Sequence, residues 1–433
     1  MNRILPALAM LSAATATAAP PPAASPPLLH ATIAKLVGFG TRHSLSSPID
    51  PARGIGAARN WTAARLAEIA RDCGGCLTIE KVADRFTGPR SPDGVEIVDV
   101  LGVQKGTGDP DRVIILSAHI DSRVTDPMNF TSDAPGANDD GSGVALVIEA
   151  ARILSREPHR ATIVFAILSG EEQGLYGGQL LARTARARGW QVAAQLNNDI
   201  VGNSHGSGGD HVDNRVRVFS EGIRASETLD EARTRRAIGG EDDGPSRALA
   251  KFVDRIGTSG HGGLEVVAIR RPDRFGRGGD HLPALDLGFP AVRITEASEN
   301  YDRQHQDVRV EGTRRYGDTI DGVDFPYLAK VTNLNVAVAR ALAQAPAAPA
   351  AATITGAVTA DTTVNWAPVP GATGYRIHWR RADGTIWTNR RDVTSGPIVM
   401  KNVNIDDNFF GVSSLGADGA ESLITFAGAA PRK

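Results

Sequence analysis

Thiols are nearly absent from this chain of 433 residues, which has only two cysteines. Both sit in one short stretch, Asp72-Cys73-Gly74-Gly75-Cys76-Leu77. A thiolate zinc site needs four ligands, so no zinc finger is built here. What remains is a disulfide closing a small turn, as suits an exported protein, or a redox pair. Charge of one sign is also lacking, with 47 Lys and Arg against 49 Asp and Glu. That balance excludes the basic surplus of a nucleic-acid binder and the acidic tail of a disordered chain. No apolar run reaches the roughly 20 residues that a permanent membrane span requires. No internal repeat is visible. The length is too great for one compact core and points to two domains.

The first residues are patterned for export. Arg3 supplies a positive start, Ile4–Leu11 is a short apolar core, and small residues follow at Ala14-Thr15-Ala16 and Ala16-Thr17-Ala18. Residues 1–19 therefore read as a signal peptide, which places the protein in the periplasm or outside the cell. Residues 20–27, rich in proline, read as a stiff, unfolded leader.

Apolar periodicity then predicts helices over Leu28–Gly38, Gly54–Cys73, Gly141–Glu157, Arg247–Ile256 and Pro326–Ala343, with one more from the Gly170 region to about Ala187. Strands are expected at Leu77–Val82, Glu96–Gln104, Val113–Ala118, Ala161–Leu168, Gln191–Asn197 leading into Asp199-Ile200-Val201, Val216–Ser220, Leu264–Ile269 and Ala291–Thr295. Asp109-Pro110-Asp111 reads as a turn, Ser122–Asp140 as a long functional loop, and Arg224–Gly239 as a charged loop or exposed helix. Strands alternating with helices indicate an α/β domain with a largely parallel sheet flanked by helices. Alternating Ala and Pro over residues 344–352 mark a linker, and short strands over 353–433 indicate a small all-β domain.

The chemistry is carried by Ser169-Gly170-Glu171-Glu172-Gln173-Gly174, where a buried strand gives way to a helix. Adjacent ionised carboxylates repel and are costly away from water. They are tolerable where a cation holds one and the other handles protons. Four further groups fall at strand ends, where open α/β sheets place their sites. They are His119-Ile120-Asp121, Asn138-Asp139-Asp140-Gly141-Ser142-Gly143, Asn198-Asp199 and Gln304-His305-Gln306-Asp307. Imidazole and carboxylate donors without thiolate suit zinc, and cobalt or manganese less often. Two divalent ions about 3.5–4 Å apart need one bridging carboxylate and further ligands on each ion. His119, Asp139, Glu172, Asp199 and His305 supply that number and leave Glu171 free as a general base.

The order of these motifs resembles the zinc aminopeptidases of the M28 peptidase family, over about Leu28–Ala343. The resemblance implies a zinc-exopeptidase fold (phosphorylase/hydrolase-like), two zinc ions, and peptide substrates with a free N-terminus. It implies that Asp139 bridges the ions, that Glu172 and His305 complete one site, and that His119 and Asp199 complete the other. Glu171 would be base and acid, and Asp121 the partner that orients His119. Many relatives carry a Tyr directly before the late His. Gln304 stands there, which leaves Tyr301 as a candidate to stabilise the oxyanion. His281, in Gly278-Gly279-Asp280-His281-Leu282-Pro283, is expected in the wall of the site, and Gly206–Gly209 with residues 210–263 should shape the substrate pocket.

Residues 353–426 resemble a fibronectin type III domain, through Thr363-Val364-Asn365-Trp366, Gly374-Tyr375-Arg376-Ile377-His378-Trp379 and Phe409-Phe410-Gly411-Val412-Ser413. Trp366 and Trp379 are expected in its core, with a glycan or protein contact as the alternative. Three other functions share parts of the pattern: a carboxypeptidase, a single-zinc glutaminyl cyclase, and a binding or adhesion protein without catalysis.

Overall fold

The computed structural model describes residues 23–260 and 262–430; the expected export signal lies outside them. The first half contains α1 (Pro26–Val37), α2 (Gly54–Asp72), β1 (Thr78–Gly88), β2 (Ser91–Gln104), β3 (Asp109–His119), α3 (Gly141–Leu154), β4 (Ala161–Leu168), α4 (Glu171–Gly174), α5 (Tyr176–Ala187) and β5 (Gln191–Asn198). The second half continues with β6 (Arg215–Phe219), α6 (Leu229–Ile238), α7 (Pro245–Thr258), β7 (Glu265–Ile269), α8 (Leu282–Asp286), β8 (Ala291–Glu296), a small hairpin of β9 (Arg309–Glu311) and β10 (Arg314–Tyr316), and α9 (Phe325–Gln344).

Eight strands form one sheet in the order β1-β2-β4-β3-β5-β8-β6-β7. Four of its pairings are parallel and three antiparallel. All eight residues of β4 are buried, as expected of a central strand covered on both faces. Helices α1, α2, α3, α7 and α9 cover one face, where Ile114, Leu116, Val144, Ile148, Val331 and Leu334 share the core. On the other face, Leu181 and Ala185 of α5 pack on Val113, Ile115 and Val164.

The parallel register fixes the site. His119 pairs with Leu168, Ser117 with Asn197, and Asn198 with Ile294. The carboxyl ends of β3, β4, β5 and β8 therefore finish side by side, and the segments after them converge.

Several boundaries differ from expectation. The proline-rich leader over 20–27 is too long: Pro26 and Pro27 already begin α1, where a missing N–H costs nothing. Ala24 and Ser25 are fastened to Asn333 and Glu149. Asp109-Pro110-Asp111 is not a turn but the start of β3, with an irregularity before Val113. β1 and β2 extend toward each other into a long hairpin, because Phe86, Val95 and Ile97 bury against Tyr176 and Leu180. The helix expected from Gly170 to Ala187 is broken at Leu175, which adopts φ 57°. Thr228 and Glu231 cap α6 reciprocally, which gives the charged segment a defined helix start. Cys73 and Cys76 form a disulfide.

Beyond α9, seven strands form a second, all-β region with its own core. They are β11 (Ala352–Thr355), β12 (Thr362–Trp366), β13 (Gly374–Arg381), β14 (Asn389–Val393), β15 (Ile398–Met400), β16 (Asn408–Leu415) and β17 (Thr425–Ala429). Val364, Trp366, Tyr375, Ile377, Phe410 and Val412 fill that core, and Trp379 packs against it. Among the described residues, no helix is long and apolar enough to cross a membrane.

Candidate metal centre

His119 is the last residue of β3 and is buried. Its Nδ1 lies 3.1 Å from the Asp121 carbonyl oxygen. A carbonyl only accepts, so Nδ1–H donates and the Nε2 lone pair is free. Nε2 stands 3.2 Å from Asp139 Oδ1 and 3.9 Å from Asp199 Oδ2. Asp139 Oδ2 is 2.9 Å from His305 Nε2, which is also 3.0 Å from Glu172 Oε1. The two oxygens of Asp139 thus face different imidazoles. Donor atoms of His119, Glu171 and Asp199 lie within 4.8 Å of one another, as do those of Asp139, Glu172 and His305.

Long-range contacts hold these groups in place. Asp140 caps α3 by accepting from Gly143 N, and it also accepts from His119 N and Ile200 N. One carboxylate thereby joins three of the converging segments. The Asp139 N–H donates to Asp318 Oδ2 at 2.7 Å. Arg293, fully buried, places a guanidinium nitrogen 2.6 Å from Asp199 Oδ1 and another 3.4 Å from Asp273. Arg123 donates to Glu172 Oε2 at 2.8 Å, and its second nitrogen lies 2.6 Å from His305 Nδ1. Nε2 is then the ring nitrogen of His305 that faces the two carboxylates.

The charge balance has one direction. Burial opposes a proton on His119, but Asp121 and Asp139 outweigh it and hold the imidazole well above its usual range. Burial likewise opposes the His305 imidazolium, which Glu172 and Asp139 nevertheless raise to about 10. Burial pushes Glu171 well above the usual carboxylate range, reinforced by Glu172, Asp199 and Asp280. Two buried atoms, His119 Nε2 and Glu172 Oε1, have no hydrogen-bond partner despite their close neighbours. Orphaned buried donors aimed at shared points, with an N and O donor set, fit divalent metal of the zinc class.

Other expected positions are altered. Asp121 meets His119 Nδ1 through its carbonyl oxygen at 3.1 Å, with its nearer carboxylate oxygen 3.6 Å away. The carboxylate also accepts from Gly170 N, Glu171 N, Glu172 N and Ser44 Oγ, so that it caps the turn bearing both glutamates. Tyr301 is 60% exposed and does not line the cavity at the centre, which leaves it outside the oxyanion role. His281 is buried behind that cavity, with Nε2 2.7 Å from the Pro272 carbonyl, and is not part of its wall. The cavity has a volume of about 450 Å³; Glu171, Leu175, Asp199 and His305 line it together with Arg90, Arg123, Arg274 and Arg277. Arg123, Arg293 and Asp318 escape sequence reasoning because no local motif marks them.

Comparison with known proteins agrees with this geometry. The family model for peptidase family M28 matches residues 99–217. A "probable zinc metalloprotease" from Pyricularia oryzae is 43% identical over 419 residues, 92% of this chain and 82% of the relative. Another from Leptosphaeria maculans is 42% identical, over 92% of this chain and 93% of the relative. Among solved structures, a leucine aminopeptidase precursor from Bacteroides thetaiotaomicron superposes with a TM-score of 0.52 at 17% identity, over 74% of this chain and 98% of the other. A glutaminyl cyclase from Porphyromonas gingivalis gives 0.50 at 18%, over 73% and 97%. At such identities these two share the fold alone. The relatives, the family model and the donor set agree: the chain belongs to peptidase family M28, and it is a zinc metallopeptidase.

Proposed function

We propose that this peptidase is an exported, dinuclear zinc aminopeptidase. One observation carries the reading: the two oxygens of Asp139 face two separate donor groups, 3.2 Å from His119 and 2.9 Å from His305. His119 and Asp199 would hold one ion, Glu172 and His305 the other, and Asp139 would join both. Bound zinc supplies an acidified water and an electrophile for the scissile carbonyl oxygen. The remaining steps belong to the chain. Glu171 faces the cavity and takes the proton of the attacking water as its oxygen joins the carbonyl carbon. The same carboxyl passes that proton to the amine nitrogen as the C–N bond breaks. Asp121 fixes the main chain of Glu171 and Glu172, so that the base and its neighbouring ligand keep one spacing. The export-like first residues and the Cys73–Cys76 disulfide support location outside the cytosol.

The four arginines around the cavity favour one competing reading, carboxypeptidase action, because guanidinium forks suit a substrate carboxylate. Chromogenic aminoacyl amides, each with and without a blocked amino group, separate the two. Cleavage of the free amides and loss on blocking support an aminopeptidase; cleavage of amino-blocked dipeptides from the carboxyl end would overturn it. For the mechanism, Glu171→Gln is expected to lower kcat by about 10²–10⁴-fold with zinc content unchanged. Full activity of that variant, zinc-loaded, would remove Glu171 from the base role.

A further inference from the structure

A second donor cluster lies in Asn203–Asp213, joined by the residue that caps α9, and it shares no residue with the centre at Asp139. The chain turns back through Gly206–Asp210, where Gly206 N donates to Asp210 O, and His205 and His211 meet as an antiparallel bridge. Their rings stack at 4.2 Å with planes 12° apart. Asp324 completes the group: donor atoms of His205, His211 and Asp324 all lie within 4.8 Å of one another.

The hydrogen bonds prepare these groups as ligands. The Ser204 hydroxyl has one proton and donates it to Asp324 Oδ2 at 2.6 Å. Its 3.1 Å contact with His205 Nδ1 must then run from Nδ1–H to the hydroxyl oxygen, which leaves the Nε2 lone pair of His205 free. Metal-binding histidines are commonly fixed in this way, through the second ring nitrogen. Asp324 is itself fixed, since it caps α9 through Tyr327 N. His211 Nε2 stands 4.0 Å from Asp324 Oδ2. Donors at about 2.0–2.2 Å from one tetrahedral ion stand roughly 3.3 Å apart, so the His211–Asp324 pair must close by under about 1 Å and no donor pair by more than about 1.5 Å. The exposed His211 side chain supplies that movement by rotation.

We infer that His205, His211 and Asp324 form an additional divalent-cation site, selective for zinc and its nitrogen-preferring neighbours such as cobalt. Two imidazoles and one carboxylate, with a solvent-facing position for water, suit those ions and not calcium or magnesium. The site has a structural consequence. Its hairpin grips the segment leading to His305: Ser207 N donates to Glu299 O, Asn300 Nδ2 to His205 O, and Tyr301 N to Ser207 Oγ. An ion here ties that segment to the start of α9.

The test is zinc content per chain after loading with excess zinc and gel filtration. It compares the full protein with His205→Gln/His211→Gln and, separately, with Asp324→Asn. The wild type is expected to retain one more ion than either variant, whatever number the Asp139 centre holds. Cobalt loading should give a visible absorption component that both variants lose. Because the substituted histidines are exposed, the double variant should keep its urea midpoint in zinc-free buffer. Asp324→Asn keeps the capping oxygen and serves as the control should the double variant unfold. Equal zinc content and identical cobalt spectra in all three proteins would overturn the site and leave the stacked histidines as packing alone.

Discussion

Arg293 shows how a single residue can govern a cation site without touching the reaction. It is fully buried between Asp199 and Asp273, and its charge is held by both. Removing one partner of a buried ion pair leaves an uncompensated charge and costs about 3–5 kcal/mol. Arg293→Met is therefore expected to lower stability by that order in urea unfolding. Zinc affinity should also fall by about 10–100-fold, read by competition with a chelator, because Asp199 loses its fixed orientation. Unchanged affinity would mean that Asp199 needs no such support. The sequence marks Asp199 by its place after a strand, yet nothing near Arg293 in the chain signals its partner, 94 residues away. Asp121 makes the same point differently: its type and position are readable, but its carboxylate also holds the double-glutamate turn, which no local pattern announces.

At the scale of elements, the turn between β4 and α5 is built on close approach. A Cβ on Gly177 would lie 2.6 Å from Ser169 O, and one on Gly178 would lie 2.6 Å from Asp280 O. Both obstacles are main chain and cannot swing aside. Gly178→Ala must displace the start of α5, and with it α4, which carries Glu171 and Glu172. A loss of about 1–3 kcal/mol in stability and a fall in kcat are expected, measured by thermal unfolding and steady-state assay. Unaltered kcat would show that α4 does not move with α5. Elements with a clean apolar stripe or a continuous apolar run, such as α3, α9 and β4, are readable from the sequence to within a few residues. Those set by distant partners are not. Pro110 suggests a turn, yet β3 runs through it, and the β1–β2 hairpin lengthens because Phe86 and Tyr176 stack at 4.8 Å. Leu175 breaks a helix that local propensity favours.

Across the whole molecule, the all-β region is clamped by charge to α7 and the segment before it. Buried Arg380 pairs with Asp243, and Glu421 receives Arg255 at 2.9 Å as well as His378 at 2.9 Å. Phe409 and Phe426 sit against Gly239 and Gly240. Burial alone would raise Glu421, but His378 and Arg255 hold it down at about 2. A carboxyl depressed by folding contributes stability above its unfolded value of about 4.5, lost as pH falls toward about 2. The urea-midpoint advantage of wild type over Glu421→Gln should therefore be complete above about pH 5 and shrink steadily below it. A difference that stays constant from pH 6 to 2.5 would show that the clamp does not act through this carboxylate.

A dinuclear centre requires Asp139 to serve two cations at once. Anomalous diffraction at the zinc edge, from zinc-loaded crystals of the active protein, tests this most directly. Two peaks about 3.5–4 Å apart, with one Asp139 oxygen on each, are expected. A single peak at this centre, in protein that cleaves aminoacyl amides at full rate, would contradict it.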